Sequence, residues 1–268
     1  MMPLHHVAAG DVRLAVHTAG QGLPLVLLHA FPLDHSMWRE QAVLADDLRL
    51  VVPDLRGFGQ SHDPAGPVSM AQLADDVAAL LDALHVERAV VCGVSMGGYV
   101  AQHMAARHPG RVSGLVLVDT RLEADTDEAR AGRGDLAGKV GRLGLTILAD
   151  AMVPRLLSAS GPRTAAVADL LHETIRRQPV ATVQAALVAL GGRPDMTEPM
   201  RHVRVPTLLI NGADDVITPP ACLERALDVI PGARLLVLPN AGHLPPLEVP
   251  AAFNAALRGF LGDVRATG

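Results

Sequence analysis

A chain of 268 residues suits one large α/β domain with a modest insertion better than two independent domains. Hydrophobic residues make up 49% and aromatic ones only 2%, so a core has to be built from Leu, Val, Ala, Ile and Met. A formal net charge of −5, with scattered arginines and Lys139 as the only lysine, argues against a nucleic-acid groove or an attraction to anionic membranes.

Short apolar runs predict strands, and apolar residues at three- and four-residue spacing predict helices. A weak strand near Leu4–Ala8 and a stronger one at Val12–His17 flank Ala9-Gly10-Asp11, which spells a hairpin. Strands follow at Leu25–His29 and Leu48–Val52, then a helix carried by Ala74, Val77, Ala78, Leu81 and Leu84. Strand Ala89–Val94 leads into helix Met96–Arg107, which Pro109-Gly110 stops, and a further strand spans Gly114–Val118. Alternating strands and helices of this kind imply right-handed crossovers and a largely parallel sheet. Runs such as Leu25-Val26-Leu27-Leu28 are apolar on both faces, as expected where helices cover both sides.

The alternation breaks between Arg121 and Met200. That stretch has helical patterns at Lys139–Met152, Arg163–Arg177 and Val180–Leu190 and is too long for a loop. It reads as a helical insertion above the sheet, opening on the acidic Glu123–Glu128 as a solvated helix start. Strands return at Thr207–Ile210 and Arg234–Leu238, and a helix at Pro250–Leu261 closes the chain. The expected layout is a core of residues 1–120 and 201–268 with a helical cap of residues 121–200.

Gly93-Val94-Ser95-Met96-Gly97 is Gly-x-Ser-x-Gly placed directly after a strand and before a helix. A serine hydroxyl is a poor nucleophile unless it is exposed, oriented and given a base. A sharp strand-to-helix turn exposes it, Gly93 and Gly97 tolerate the tight backbone, and the helix N-terminus favours developing negative charge. The alternative is a serine that merely caps the helix. Acyl transfer also needs donors for an oxyanion. These are expected from the Met96 amide and, in the loop Leu28-His29-Ala30-Phe31-Pro32, from the Phe31 amide. His29 reads as a residue that hydrogen-bonds this loop in place.

Val205–Asp215 is a strand running into a turn with two carboxylates, and Ala233–His243 is a strand running into a glycine-flanked histidine. Both deliver a polar side chain past the carboxyl end of a strand, the edge that carries Ser95. His243 is the candidate base. Asp215 is favoured as the acid over its neighbour Asp214, a turn residue, with Asp119 after Gly114–Val118 as a rival.

Neither a cofactor nor a metal is expected. His5 and His6, His103 and His108, and His172-Glu173 have no ligand spacing and read as surface or capping residues. Gly57-Phe58-Gly59 lacks the third glycine of a dinucleotide fingerprint. Cys92 and Cys222 form no disulfide or zinc pattern, and Cys92 reads as a buried strand residue. Met1–His6 is unlike a signal peptide and no apolar run spans a membrane, so a cytoplasmic location is expected.

Five segments together resemble the α/β-hydrolase superfamily over nearly the whole chain. They are His29-Ala30-Phe31-Pro32, Asp54–Ser61, Gly93–Gly98, Gly212-Ala213-Asp214-Asp215 and Ala241-Gly242-His243. The resemblance implies an α/β-hydrolase fold with a mostly parallel eight-stranded sheet, helices on both faces and a helical cap. It supports Asp215 as the acid and reads Trp38 as packing. Within the superfamily the chain is most similar to small capped esterases, haloperoxidase-like enzymes and 3-oxoadipate enol-lactonases. It departs at Ala30, where Gly is commoner, and in an insertion without aromatic residues, which weakens the enol-lactonase reading.

Leu143, Leu145, Ile147, Leu148, Met152, Leu156, Leu157, Leu187 and Leu190 would give the cap an aliphatic underside, favouring small or medium apolar substrates. Arg121, Arg155, Arg176 and Arg177 could reach a carboxylate but read first as surface residues. The expected function is hydrolysis of a carboxylic ester or lactone, a small-molecule substrate, through an acyl-serine. Carbon–carbon bond hydrolysis and a ligand receptor with negligible turnover stay open, as does a homo-oligomer.

Overall fold

In a computed structural model the described residues are 2–61, 69–161 and 164–267. Arg163, the expected start of one helix, lies outside them. β1 (Leu4–Ala9) and β2 (Val12–Ala19) form the antiparallel hairpin, turning at Gly10 with φ 65°. The other strands are β3 (Leu23–Leu28), β4 (Leu48–Pro53), β5 (Ala89–Val94), β6 (Val112–Val118), β7 (Thr207–Gly212) and β8 (Arg234–Leu238).

They assemble into one eight-stranded sheet in the order β1-β2-β4-β3-β5-β6-β7-β8. β2 pairs antiparallel with β4, and every pairing from β4 to β8 is parallel. The order reverses at β3, which lies between β4 and β5. Loops leaving β3 and β5 therefore diverge, and such a switch point opens a crevice at the carboxyl edge of the sheet. Leu28, which ends β3, precedes the His29–Pro32 loop, and Val94, which ends β5, precedes Ser95. The topology thus brings the expected oxyanion loop and nucleophile side by side.

All residues of β5 and β7 are buried, so both faces of the central sheet are covered. The covering helices include α1 (Met70–Ala83), capped by the Ser69 hydroxyl, and α2 (Met96–Arg107), which packs on β5 and β6. Trp38 is fully buried on a 3₁₀ segment, His35–Asp46, and meets Phe253 with ring centroids 6.2 Å apart. Cys92 is buried in β5, as its apolar run predicts.

Between β6 and β7 lie α3 (Asp127–Leu143), α4 (Thr146–Leu156), α5 (Thr164–Arg176), α6 (Val180–Gly191) and α7 (Thr197–Met200). The single helix expected over Lys139–Met152 is two helices. Gly144, at φ 78°, ends α3, a conformation that glycine adopts without steric cost. Thr126 caps α3 and puts Asp127 and Glu128 in its first turn, where the helix dipole favours acids. Asp125, expected to be solvated, is instead enclosed by Arg133 and Arg193. After β7 come α8 (Ala221–Val229), α9 (Pro245–Glu248) and α10 (Pro250–Thr267). No helix among the described residues is long and apolar enough to cross a membrane.

Candidate active site

Ser95 stands between β5 and α2 with φ 53° and ψ −110°, outside the regions that L-residues favour. Neighbouring backbone holds it there. The Ser95 amide donates to the Val118 carbonyl at 2.9 Å, and the Thr120 hydroxyl donates to the Ser95 carbonyl at 3.1 Å. The flanking glycines are required by contact. A Cβ on Gly93 would lie 2.0 Å from the Gly97 carbonyl oxygen, and one on Gly97 would lie 2.2 Å from that of Leu28. Among the described residues the Ser95 hydroxyl has no hydrogen-bond partner; it lines a cavity with His243.

His243 Nδ1 lies 2.8 Å from Asp215 Oδ2. Asp215 also accepts from Ile217 N–H at 2.7 Å, Thr218 N–H at 3.1 Å and the Thr218 hydroxyl at 2.6 Å. Burial opposes ionisation of Asp215, but the charge of His243 and these donors outweigh it and hold the carboxyl at about 2. An ionised carboxylate only accepts, so Nδ1 carries the proton and the Nε2 lone pair is left for another group. Asp214 is exposed and accepts from the Ser158 hydroxyl at 2.5 Å, so its turn role is joined by a link to the segment just after α4.

Asp119 is fully buried beside this pair, and its carboxylate, that of Asp215 and the His243 ring nitrogens fall within 4.8 Å of one another. Its Oδ1 accepts from Gly212 N–H at 2.9 Å and Asn211 Nδ2 at 2.8 Å, whereas Oδ2 has no partner among the described residues. Burial, and next the negative charge of Asp215, push the Asp119 carboxyl well above the carboxylate range. Of the two carboxylates, Asp215 and not Asp119 hydrogen-bonds the imidazole among the described residues, and the Thr218 hydroxyl lies 3.3 Å from the same Nδ1.

The loop after β3 is fixed by His29. The Leu55 N–H donates to His29 Nε2 at 3.0 Å, so Nδ1 must carry the proton that it donates to the Ala30 carbonyl, also at 3.0 Å. Burial lowers the pKa of this imidazole. Both nitrogens are occupied, as a loop-holding role requires. Ala30 fits with its methyl buried, and its N–H points at Met37 Sδ, 3.2 Å away. Phe31 lines the cavity, and its N–H has no partner among the described residues. Met96 begins α2, where the first N–H groups lack intrahelical acceptors.

Two sets of contacts tie the helical segment to these loops. At the end of α4, the Leu156 carbonyl accepts from His243 N–H at 2.9 Å. The Glu248 carboxylate, buried in α9, accepts from Ser158 N–H at 2.7 Å, Gly242 N–H at 3.0 Å and Leu244 N–H at 3.1 Å. On the other side Arg177 grips Asp34 at 2.8 Å, Gln178 Nε2 donates to the same carboxylate at 3.0 Å, and Gln178 Oε1 accepts from Gly59 N–H at 2.9 Å. The acid turn and histidine loop meet backbone to backbone at Gly212, where a Cβ would lie 1.9 Å from the Gly242 carbonyl oxygen. Gly212→Ala is therefore expected to lower the urea midpoint, by roughly 1–3 kcal/mol of stability or more. An unchanged midpoint would show that these loops can separate freely.

The cavity measures about 390 Å³. Of the nine apolar residues expected under the cap, Met152, Leu187 and Leu190 line it, joined by Leu136 and Ile217. Leu143 points to solvent, and Leu145, Leu148, Leu156 and Leu157 pack in the interior. The lining is more polar than those residues suggest, because Arg121, Asp125, Arg133 and Arg155 also face it. His103, read as a surface or capping residue, is buried in α2, whereas His108 pairs with Asp75 at 2.7 Å. Glu248, Thr218 and Asn211 escape the sequence reading; only Thr218, three residues after Asp215, follows a recognisable turn pattern.

A family model described as the alpha/beta hydrolase fold matches residues 24–250. The 3-oxoadipate enol-lactonase 2 of Acinetobacter baylyi is 31% identical, covering 97% of this chain and 98% of its own. A thermophilic esterase from Thermogutta terrifontis superposes with a TM-score of 0.92 at 38% identity, over 98% of this chain and 99% of its own. The enol-lactonase from Burkholderia xenovorans does so with a TM-score of 0.88 at 30% identity, over 97% and 100%.

Proposed function

The chain belongs to the α/β-hydrolase fold family, and we propose that within it the protein is a serine hydrolase of carboxylic esters or lactones. One observation carries this reading. Ser95, held at φ 53° on the turn after β5, shares a cavity with His243, whose Nδ1 is bound by the ionised Asp215.

In this mechanism Ser95 Oγ attacks the carbonyl carbon and its proton passes to His243 Nε2. The oxygen that becomes negative accepts from the Phe31 and Met96 amides, each worth roughly 2.7–4 kcal/mol of transition-state stabilisation. Collapse expels the alcohol, or opens the lactone, with the proton returned by His243. Water then attacks the acyl-serine, gives its proton to His243, and the acid leaves as Ser95 is restored. Asp215 holds the imidazole in the tautomer that can accept and stabilises its charged form. The helical segment acts as a cap, and Leu136, Met152, Leu187 and Leu190 favour small to medium substrates with an apolar portion.

A fluorophosphonate tests the assignment directly. One adduct per chain is expected, located on Ser95 by peptide mass mapping, and it should abolish turnover of a panel of activated esters and lactones. An adduct elsewhere, with turnover lost, would sink the proposal. Asp215 stays ionised down to about pH 2, so a loss of activity at milder acidity does not come from protonation of that carboxylate.

A further inference from the structure

The cavity is unevenly charged. Among the described residues Arg121, Arg133 and Arg155 line it against one carboxylate, Asp125, in a protein whose formal net charge is −5. Asp125 is already shared. Its carboxylate takes Arg133 at 2.5 Å and the buried Arg193 at 2.7 Å; burial opposes its ionisation, and these two guanidinium groups overcome that and keep it charged. Arg193 is also stacked over the Tyr99 ring, 4.3 Å from its centroid, at the cavity wall. Asp125 therefore has no remaining capacity to neutralise other cations.

Among the described residues Arg121 and Arg155 are left without an ion-pair partner. Arg121 is half-buried and donates to the neutral Ile217 carbonyl at 2.7 Å, on the turn that follows Asp215. Glu123, whose carboxyl feels the Arg121 charge, is paired with Arg225 at 2.7 Å and does not line the cavity. Arg155 makes no hydrogen bond or ion pair among the described residues. It stands on α4, one residue before Leu156, whose carbonyl holds the His243 backbone. Both cations thus face the space into which Ser95 opens, together with the apolar Leu136, Met152, Leu187 and Leu190.

We propose that the preferred substrate is an ester or lactone carrying a second, ionised carboxylate, bound by Arg155 and Arg121 while the apolar wall holds the part between it and the scissile carbonyl. This rests on the hydrolase reading above and narrows its substrate class. A planar guanidinium matches a carboxylate in geometry as well as charge, and a cavity of one sign gathers ligands of the other.

Matched pairs of substrates test it. On the acyl side, the 4-nitrophenyl hemiester of glutarate is compared with 4-nitrophenyl valerate; on the alcohol side, 4-acetoxybenzoate with phenyl acetate. The anionic member of at least one pair is expected to have the higher kcat/KM, by about tenfold or more at low ionic strength, chiefly through KM. Added salt should erode that preference. Arg155→Glu should lower the anionic-to-neutral ratio by about tenfold or more, and Arg155→Lys should retain part of it. Arg201→Gln, a change outside the cavity, should not move the ratio. Equal or better hydrolysis of the neutral member in both pairs, or a ratio that Arg155→Glu leaves unmoved, overturns the proposal. Labelling of Ser95 by the fluorophosphonate separates this failure from failure of the hydrolase reading. If no ester is turned over, calorimetric titration of glutarate decides: binding that Arg155→Glu abolishes supports the anion site, and no binding to the parent protein refutes it.

Discussion

Ser95→Ala is expected to reduce kcat on activated esters by a factor of about 10⁴–10⁶ without unfolding the protein. The size follows from what is removed: the only atom that forms the covalent bond, while the amides and cavity remain. The fold should tolerate the change, because the hydroxyl has no hydrogen-bond partner among the described residues and alanine inherits the same backbone. A companion variant separates chemistry from strain. Ser95→Gly should be equally inactive yet more stable by about 1 kcal/mol, because glycine adopts φ 53° without steric cost. Comparable turnover by Ser95→Ala would end the nucleophile assignment. A glycine variant no more stable than the alanine one would show that the turn stores little strain.

Asp215→Asn should cost about 10⁴ in kcat, whereas Asp119→Asn should cost less than about tenfold. The two carboxylates are neighbours, but only Asp215 meets the imidazole. An asparagine there can turn its amide N–H toward Nδ1, which puts the ring proton on Nε2 and leaves nothing to accept from Ser95. At Asp119 an amide keeps the carbonyl oxygen that Gly212 and Asn211 donate to, and replaces an acid whose ionisation is opposed by burial and by the Asp215 charge. The stability of this second variant has a defined dependence on pH. The Asp119 pKa is raised by folding from 3.8, so its contribution is fully present below that value and lost as pH rises through the folded pKa. The unfolded chain ionises Asp119 freely, whereas in the folded protein burial and the Asp215 charge oppose that ionisation. Asp119→Asn should therefore raise the melting temperature at pH 7–8, with the gain vanishing below about pH 3.8. An Asp119→Asn enzyme as impaired as Asp215→Asn would transfer the acid role to Asp119.

These side chains were unequally legible in the sequence. The turn at Ser95 could be read because its glycines are local: Gly93 and Gly97 mark approaches of 2.0 and 2.2 Å within a few residues and to the adjoining strand. The strand-end positions of Asp215 and His243 follow from the same alternation that predicts the sheet, and the β3–β5 crevice follows from its order. Asp215 needed the family resemblance to stand above Asp214, since adjacent acids have the same local pattern. The break at Gly144 was hidden because apolar spacing continues across it. Asp125 lies just before α3 and Arg133 within it, but Arg193 follows α6, so the three-way pairing exists only after folding. Arg155 looks like any polar residue on a helix until the helix is laid over the crevice. Glu248 is harder still, because an acid beside prolines gives no sign that three backbone amides will converge on it.

The clamp at the end of α4 restricts how the enzyme can breathe. A hinge that swung the whole helical segment clear would break the Leu156–His243 contact and strip Ser158 from Glu248, while Arg177 and Gln178 would release Asp34 on the far side. If His243 is the base proposed above, the helical segment and the base are one mechanical unit, and a fully opened protein is also a disarmed one. Traffic to Ser95 has to use the rim that already reaches solvent at Ala129, Gly132 and Arg155. On that reading, water that reached the crevice by swinging the whole segment away would find the histidine loop released from Leu156.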